Sequence, residues 1–401
     1  MKRILFVDDE PKILTGLRRC LRSFRNEWQM VFAEGGAAAL EQLASAPFDV
    51  VVSDARMPGM DGSVLLRQVM ELYPDSARMI LSGQCSRTSV LKCVAVTHQF
   101  LSKPCEPETL KSAMQGVCRM RDAFHDETTR EAISRTQWLP SQARLTSELA
   151  AAMDSSETSI GDLAGIIARD IGMTAKVVQM VSSGFFGSPQ HVANAADAVK
   201  LLGLDTIRAL FSASAGFQPG SEEGQDDALQ LLTHHCFAVA AAARQIMETL
   251  TNDRTMIADA HLAGVLHEVG TMALTDFTHD CPRKQDPPTG VQSTNCRSNV
   301  PSSFVQARPD PGGYLVALWG LPDSIVQAIA YHRIPAVCPE QAVSPLTTVH
   351  VANGILEQVP RAVGDRRVRL AMDYLERTGC TDRLECWHEI CEACRPEGVL
   401  P

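Results

Sequence analysis

The sequence predicts two folds in series: a doubly wound, five-stranded parallel α/β sheet, then an all-α module. Three observations carry this. Five short apolar runs alternate with helix-length segments through the first 124 residues. Acidic residues follow the first and third of those runs, Asp8-Asp9 at once and Asp54 after Ser53. From Leu139 onward, apolar residues recur at helical spacing, with no alternating strand signal. The length of 401 residues fits two or three domains at about 150 residues each.

The expected strands are residues 4–7, 30–33, 50–52, 79–81 and 99–101. Residues 106–124 read as the last helix of the sheet domain, and the polar stretch 119–135 keeps enough helix formers to continue it or to hinge once. The boundaries are a sheet domain over 1–120, a helical linker over 121–138, and a helical module with a C-terminal helical extension over 139–401. Within that module Ser159 caps a helix, and further apolar stripes run over 173–180, 194–202, 204–214, 228–249, 256–267 and 322–331. The alanine-rich run 238–243 suits close helix packing. Residues 279–303 form a Pro/Ser/Asn-rich stretch that reads as a mobile loop.

Charge is unevenly shared. Through Phe124 there are 16 Lys/Arg against 14 Asp/Glu, and beyond it 21 against 33. An acidic C-terminal two-thirds without a basic stripe argues against direct nucleic-acid binding. No run approaches the roughly 18 apolar residues of a membrane span, and the opening apolar run breaks into Asp8-Asp9-Glu10 too early for a signal peptide. A cytoplasmic location is expected. Thirteen scattered cysteines fit reduced thiols. Cys380, Cys386, Cys391 and Cys394 with His388 form a metal-like cluster, but a second clean Cys-x-x-Cys pair is missing, so structural thiols are the default over zinc.

In a parallel doubly wound sheet, function gathers where the chain leaves the carboxyl ends of the strands. There the sequence places Asp8 and Asp9, Asp54, Ser82, and Lys103-Pro104. Three carboxylates at one strand edge repel one another unless a hard divalent cation sits among them, and magnesium is the natural guest. Asp54 could then attack a phosphoryl group, with Lys103 and the Ser82 hydroxyl contacting its oxygens. The competing reading is that each is an ordinary solvated loop residue; their coincidence at one edge opposes it.

The residues Val7-Asp8-Asp9-Glu10-Pro11, Val52-Ser53-Asp54-Ala55-Arg56-Met57-Pro58-Gly59-Met60-Asp61-Gly62, Leu81-Ser82-Gly83-Gln84 and Phe100-Leu101-Ser102-Lys103-Pro104 resemble a response-regulator receiver domain of two-component signalling, with the flavodoxin-like fold. The resemblance implies that Asp54 is the phosphoacceptor, that Asp9 and the backbone carbonyl of Arg56 ligate magnesium, and that Asp8 joins through a bound water. It also implies a cis peptide at Lys103-Pro104 and a switch pair of Ser82 and Phe100: the hydroxyl moves to a phosphoryl group on Asp54 and the Phe100 ring turns inward.

In the helical module His235, the His267-Glu268 pair, His332 and His350 suggest either core histidines or the two-metal site of an α-helical phosphohydrolase. The residues Leu139-Pro140, Ser183-Gly184-Phe185-Phe186-Gly187, the stretches 198–205 and 261–270, Gly313-Tyr314-Leu315, Leu318-Trp319-Gly320-Leu321-Pro322 and Ala330-Tyr331-His332 resemble an HDOD (HD-related output) domain over about 136–356. Members mostly lack the complete metal set of their HD relatives. Here Glu268 stands where the active enzymes have Asp, Arg308 where a further His is expected, and Asn353 where a closing Asp is expected. A guanidinium in a dication site is repulsive. His235, His267, Glu268, Arg308, His332 and Asn353 therefore read as a vestigial site, with no cofactor expected there.

The combined expectation is a response regulator phosphorylated by a sensor histidine kinase, with a non-catalytic output that binds an unknown downstream protein; a homodimer is compatible with it. The rivals are an HD-type hydrolase of cyclic dinucleotides and a DNA-binding regulator.

Overall fold

The computed structural model describes every residue except 84–92, 104, 106, 156, 184–190, 213–217, 220–222, 276–307, 357–368 and 396–401, with residues 82, 212, 218, 219 and 223–226 described through their backbone alone. The expected loop at 279–303, the Lys103-Pro104 isomer, the Ser82 hydroxyl and the 184–187 motif lie outside the described residues.

Strands β1 (Lys2–Asp8), β2 (Trp28–Glu34), β3 (Val50–Ser53), β4 (Ala77–Ser82) and β5 (Gln99–Ser102) form one parallel sheet in the order β2-β1-β3-β4-β5. Helices α1 (Pro11–Cys20), α2 (Gly36–Ser45), α3 (Gly62–Leu72) and α4 (Pro107–Ala123) belong to this unit. Ile4, Leu5 and Phe6 are all fully buried, as expected of a central strand covered on both faces. The strands outrun the apolar stretches that predicted them, because backbone pairing extends into polar ends, as in Lys2 opposite Trp28 and Asp8 opposite Glu34. The strand order reverses between β1 and β3. That crevice, at the carboxyl ends, is where Asp8 and Asp54 emerge.

The expected hinge after the sheet is a clean break. Helix α4 stops at Ala123, and α5 (Glu127–Arg135) restarts under the Asp126 cap. Asp75 receives Arg121 at 2.6 Å from α4 and Arg130 at 2.9 Å from α5, which fixes the angle between them. The buried Arg78 of β4 reaches the Val96 carbonyl at 2.8 Å and the Ser134 hydroxyl at 3.2 Å, tethering the far end of α5 to the sheet.

The remainder is helical: α6 (Ala143–Asp154), α7 (Ile160–Ile167), α8 (Ile171–Ser182), α9 (Ala195–Leu202), α10 (Leu204–Ser212), α11 (Glu223–Glu248), α12 (Arg254–Leu266), α13 (Val269–Leu274), α14 (Pro311–Leu318), α15 (Asp323–Tyr331), α16 (Pro345–Leu356), α17 (Met372–Arg377) and α18 (Leu384–Ala393). The expected Ser159 cap is a full capping box with Asp162. One correction applies to the purely helical expectation. Pro140–Ser141 and Gln218–Pro219 pair in parallel as β6 and β7, an element too short to leave an alternation signal.

Helices α11 and α12 approach closely at the alanine-rich run, where a Cβ on Gly264 would lie 2.5 Å from the Ala240 Cα. Helix α16 packs across α11, α12 and α15, and α18 packs on α11 and α16. The Trp387 indole N–H donates to the Thr249 hydroxyl at 3.2 Å, so the C-terminal extension closes the same bundle.

Sheet and bundle meet along β5 and α4. Helix α14 packs on α4 and α5. The Phe100 backbone N–H donates to the Ser183 carbonyl at 2.8 Å, and the Gln99 amide donates to the Ala317 carbonyl at 3.1 Å. Arg119 pairs with Asp323 at the rim.

Candidate functional site

At the sheet's carboxyl edge, the Asp54 N–H donates to the Val7 carbonyl at 2.8 Å, which sets the residue beside the end of β1. The turn after it passes close by: a Cβ on Gly62 would sit 2.1 Å from the Asp54 carbonyl oxygen, so that position requires glycine. Asp61 then caps α3 by accepting the Val64 N–H at 3.0 Å. These contacts hold the loop from Asp54 to Gly62 tightly over the crevice.

The Lys103 ammonium bridges Asp8 Oδ2 at 2.6 Å and Asp54 Oδ1 at 2.5 Å. The other oxygen of each acid is held by backbone. Asp8 Oδ1 accepts the Glu10 N–H at 2.9 Å, and Asp54 Oδ2 accepts the Arg56 N–H at 2.6 Å. Partial burial works to lower the Lys103 pKa, but the hydrogen bonds and charges of Asp54 and Asp8 outweigh it and raise it, so the lysine is firmly cationic. Asp54 keeps 13% of its side chain exposed, an opening from the solvent side.

Of the three acids expected at this edge, Lys103 joins Asp8 and Asp54. Asp9 is exposed and stands outside the Lys103 bridge. Among the described residues no three His, Cys, Asp or Glu side chains gather as a metal site. The oxygens of Asp8 and Asp54, with the Arg56 peptide against Asp54, are nonetheless the hard donors that magnesium takes.

In the bundle, His235 of α11, His267 and Glu268 between α12 and α13, His332 after α15 and Asn353 of α16 meet in one buried pocket. The His267 ring lies 5.3 Å from that of His235 and 5.2 Å from that of His332, both edge-on. His235 Nε2 lies 3.0 Å from the Asn353 amide oxygen. His267 Nδ1 lies 2.7 Å from the Gly264 carbonyl, and His332 Nδ1 lies 2.7 Å from the Ile329 carbonyl. Burial depresses all three histidines, His235 to about 4, so they are neutral at pH 7. Glu268 remains ionised. Burial opposes this, but the Arg333 guanidinium, then His267 and His332, outweigh it and hold the carboxyl well below its ordinary range. Arg333 pairs with Glu268 and donates from Nε to His332 Nε2 at 3.0 Å.

A response regulator receiver domain model matches residues 4–115, and an HDOD domain model matches residues 139–335. The chain carries an N-terminal receiver domain and a C-terminal HDOD domain. It is 24% identical to an uncharacterized protein of Treponema pallidum (strain Nichols) over 54% of this chain and 43% of that protein. It is 34% identical to the transcriptional regulatory protein GlrR of Escherichia coli (strain K12) over 32% of this chain and 29% of that one. Against response regulator MprA of Mycobacterium ulcerans (strain Agy99) the figures are 33% identity, 33% and 57%. The chain thus spans less than two thirds of each of these relatives. A solved signal receiver domain of an HD domain-containing protein from Pseudomonas fluorescens Pf-5 is 30% identical, covering 31% of this chain and 98% of its own, with a TM-score of 0.29. The receiver relatives point to a two-component response regulator.

Within the receiver domain, Asp8, Asp54 and Lys103 come together as expected, and Phe100 is buried on β5. Within the HDOD domain, five of the six vestigial-site residues share the pocket. Arg308 is the exception and is corrected: it is exposed, and the cation against Glu268 is Arg333. Arg308 stands ahead of Asp310, the cap of α14, whereas Arg333 leaves the end of α15 beside His332. The adjacency His332-Arg333 is visible in the sequence, but nothing local to it shows that the guanidinium faces Glu268. The remaining histidine, His350, bonds the His332 carbonyl at 2.7 Å and accepts the Ala371 N–H at 2.9 Å, a packing role. Cys391 is buried, Cys386 is exposed, and Cys394 accepts a bond from Gln245.

Proposed function

We propose that this chain is a phosphorylation-controlled response regulator in which Asp54 accepts a phosphoryl group from a sensor histidine kinase and the HDOD domain is a non-catalytic, protein-binding output. The observation that carries the first part is the Lys103 bridge between Asp8 and Asp54. A carboxylate oxygen of Asp54 attacks the phosphorus of a phosphohistidine, the P–N bond breaks, and the imidazole leaves with the electron pair and takes up a proton. The product is an acyl phosphate. The Arg56 N–H orients the attacking carboxylate, and Lys103, already charged, follows the transferred oxygens. Asp8, Asp9, Asp54 and the Arg56 carbonyl are the oxygens that would hold magnesium, which when bound would neutralise the phosphoryl charge.

The output reading rests on the pocket's occupant. A guanidinium against Glu268 opposes the dication that an HD-type phosphohydrolase needs, and the acidic balance opposes DNA binding. The deciding experiment is labelling of the full chain with radioactive acetyl phosphate and magnesium. The wild type takes up label, Asp54→Asn takes up none, Lys103→Ala loses at least tenfold in rate, and chelation of magnesium stops the reaction. Label persisting in Asp54→Asn refutes the assignment.

A further inference from the structure

The contacts of Arg333 are those that a metal ion would make. If the Nδ1–H of His267 donates to the Gly264 carbonyl, its Nε2 carries the lone pair. That nitrogen is fully buried and has no hydrogen-bond partner. His332 is built the same way, with Nδ1 on the Ile329 carbonyl and Nε2 turned to the guanidinium at 3.0 Å. A carbonyl on one ring nitrogen and a bare lone pair on the other is how imidazoles are prepared for metals. The buried Glu268 carboxylate faces the same guanidinium, and Asp310 Oδ2 stands 3.7 Å from its Nε.

We infer that Arg333 is a built-in cation occupying the seat of a divalent metal, and that the pocket is a latent transition-metal site closed by this one side chain. Spread around the guanidinium, no three His, Cys, Asp or Glu side chains among the described residues stand close enough to hold a metal, so the site forms only when they close inward on the space Arg333 leaves. With it removed, His267 Nε2, His332 Nε2 and the Glu268 carboxylate face the vacated volume, with Asp310 beside it. Two imidazoles and one or two carboxylates suit zinc or cobalt(II). His235 is the weaker contributor, because its Nε2 is engaged by Asn353. The substitution explains how the bundle retains an ionised, buried Glu268 without a metal. It is independent of phosphorylation at Asp54.

The test uses the full chain. Wild type, Arg333→Ala, Arg333→Met and His267→Ala/Arg333→Ala are loaded with cobalt(II) and desalted. Metal is counted per chain, the visible d–d bands are recorded, and melting is followed with and without chelator. The wild type is expected to retain no cobalt, and its melting temperature to ignore the chelator. Arg333→Ala is expected to retain one cobalt per chain, with tetrahedral d–d absorption, and to melt higher with metal than without. Adding His267→Ala removes both effects. Arg333→Met keeps the volume of the stem without the charge, so it reports metal binding if the alanine variant is poorly folded. If neither variant folds alone, refolding with cobalt should rescue them. Retention by the wild type equal to that of the variants, folded variants that hold no metal, failed rescue, or binding that survives loss of His267 would each overturn the inference.

Discussion

Glu268 and His235 make the helical domain's stability depend on acid in a definite direction. An unfolded histidine takes up a proton near pH 6.5, whereas burial holds His235 at about 4 in the fold. Between those values the unfolded chain binds more protons, so stability falls as pH falls, by about 1.4 kcal/mol per pH unit for each such proton. Glu268 acts in the same sense lower down. Its folded pKa is depressed, so its contribution is present above the ordinary carboxylate range and is lost as pH drops through it. Urea melts from pH 7 to pH 4 should therefore show a steady loss, and His235→Gln should flatten the part between 6.5 and 4; an unchanged slope in that variant would count against the assignment. Glu268→Gln at pH 7 leaves Arg333 without its main counter-ion, which costs about 3–5 kcal/mol. Replacing Glu268 and Arg333 together by leucine and methionine should cost less than the single change.

At the scale of elements, α11 and α12 touch through glycine and alanine, and the sequence marked half of that contact. The alanine run 238–243 announced close packing, but Gly264 gave no sign that it was the partner, because the pairing joins residues 24 apart in the chain. Gly264→Ala puts a Cβ 2.5 Å from a backbone Cα, so overpacking of about 1–3 kcal/mol is expected, read as a lowered melting temperature. The same limit explains the rest. The five strands and the Asp8, Asp54 and Lys103 set were legible because each sits at a fixed place in a local pattern, an apolar run and the residue that ends it. Arg333 was not, since its role follows from how α12, α13 and α15 converge. The tether from Arg78 to α5 was equally invisible: a charged residue in β4 reads as a solvent-facing edge, yet it is 2% exposed. Arg78→Met should strip the Val96 and Ser134 contacts, and amide exchange across Glu127–Arg135 should rise at least tenfold while the central strands stay protected.

Across the whole molecule, the receiver's β5 edge is engaged by the output domain. The Phe100 N–H, on the residue expected to turn when Asp54 is phosphorylated, is bonded to the Ser183 carbonyl, and its neighbour Gln99 holds the Ala317 carbonyl beside Gly320. The joint is not sealed, since a cleft of about 420 Å³ bordered by Leu101, Ser183, His191 and Leu321 runs alongside it. While the packing of α14 on α4 and α5 holds the rest of the joint, the β5 hydrogen bonds and the rim ion pair of Arg119 with Asp323 are worth only a few kcal/mol together. That is the scale on which a phosphoryl group can shift a two-state population. A rearrangement at Phe100 should then release the β5 contacts while leaving both cores and the α14 packing intact. Beryllium fluoride with magnesium, acting as a phosphoryl mimic on the full chain, should raise amide exchange in Gln99–Ser102 and leave β1, α14 and α16 unchanged. Gln99→Ala should reproduce part of the rise without the mimic, and Asp54→Asn should abolish the response to it. Equal exchange with and without beryllium fluoride in the wild type would mean that phosphorylation does not act through β5.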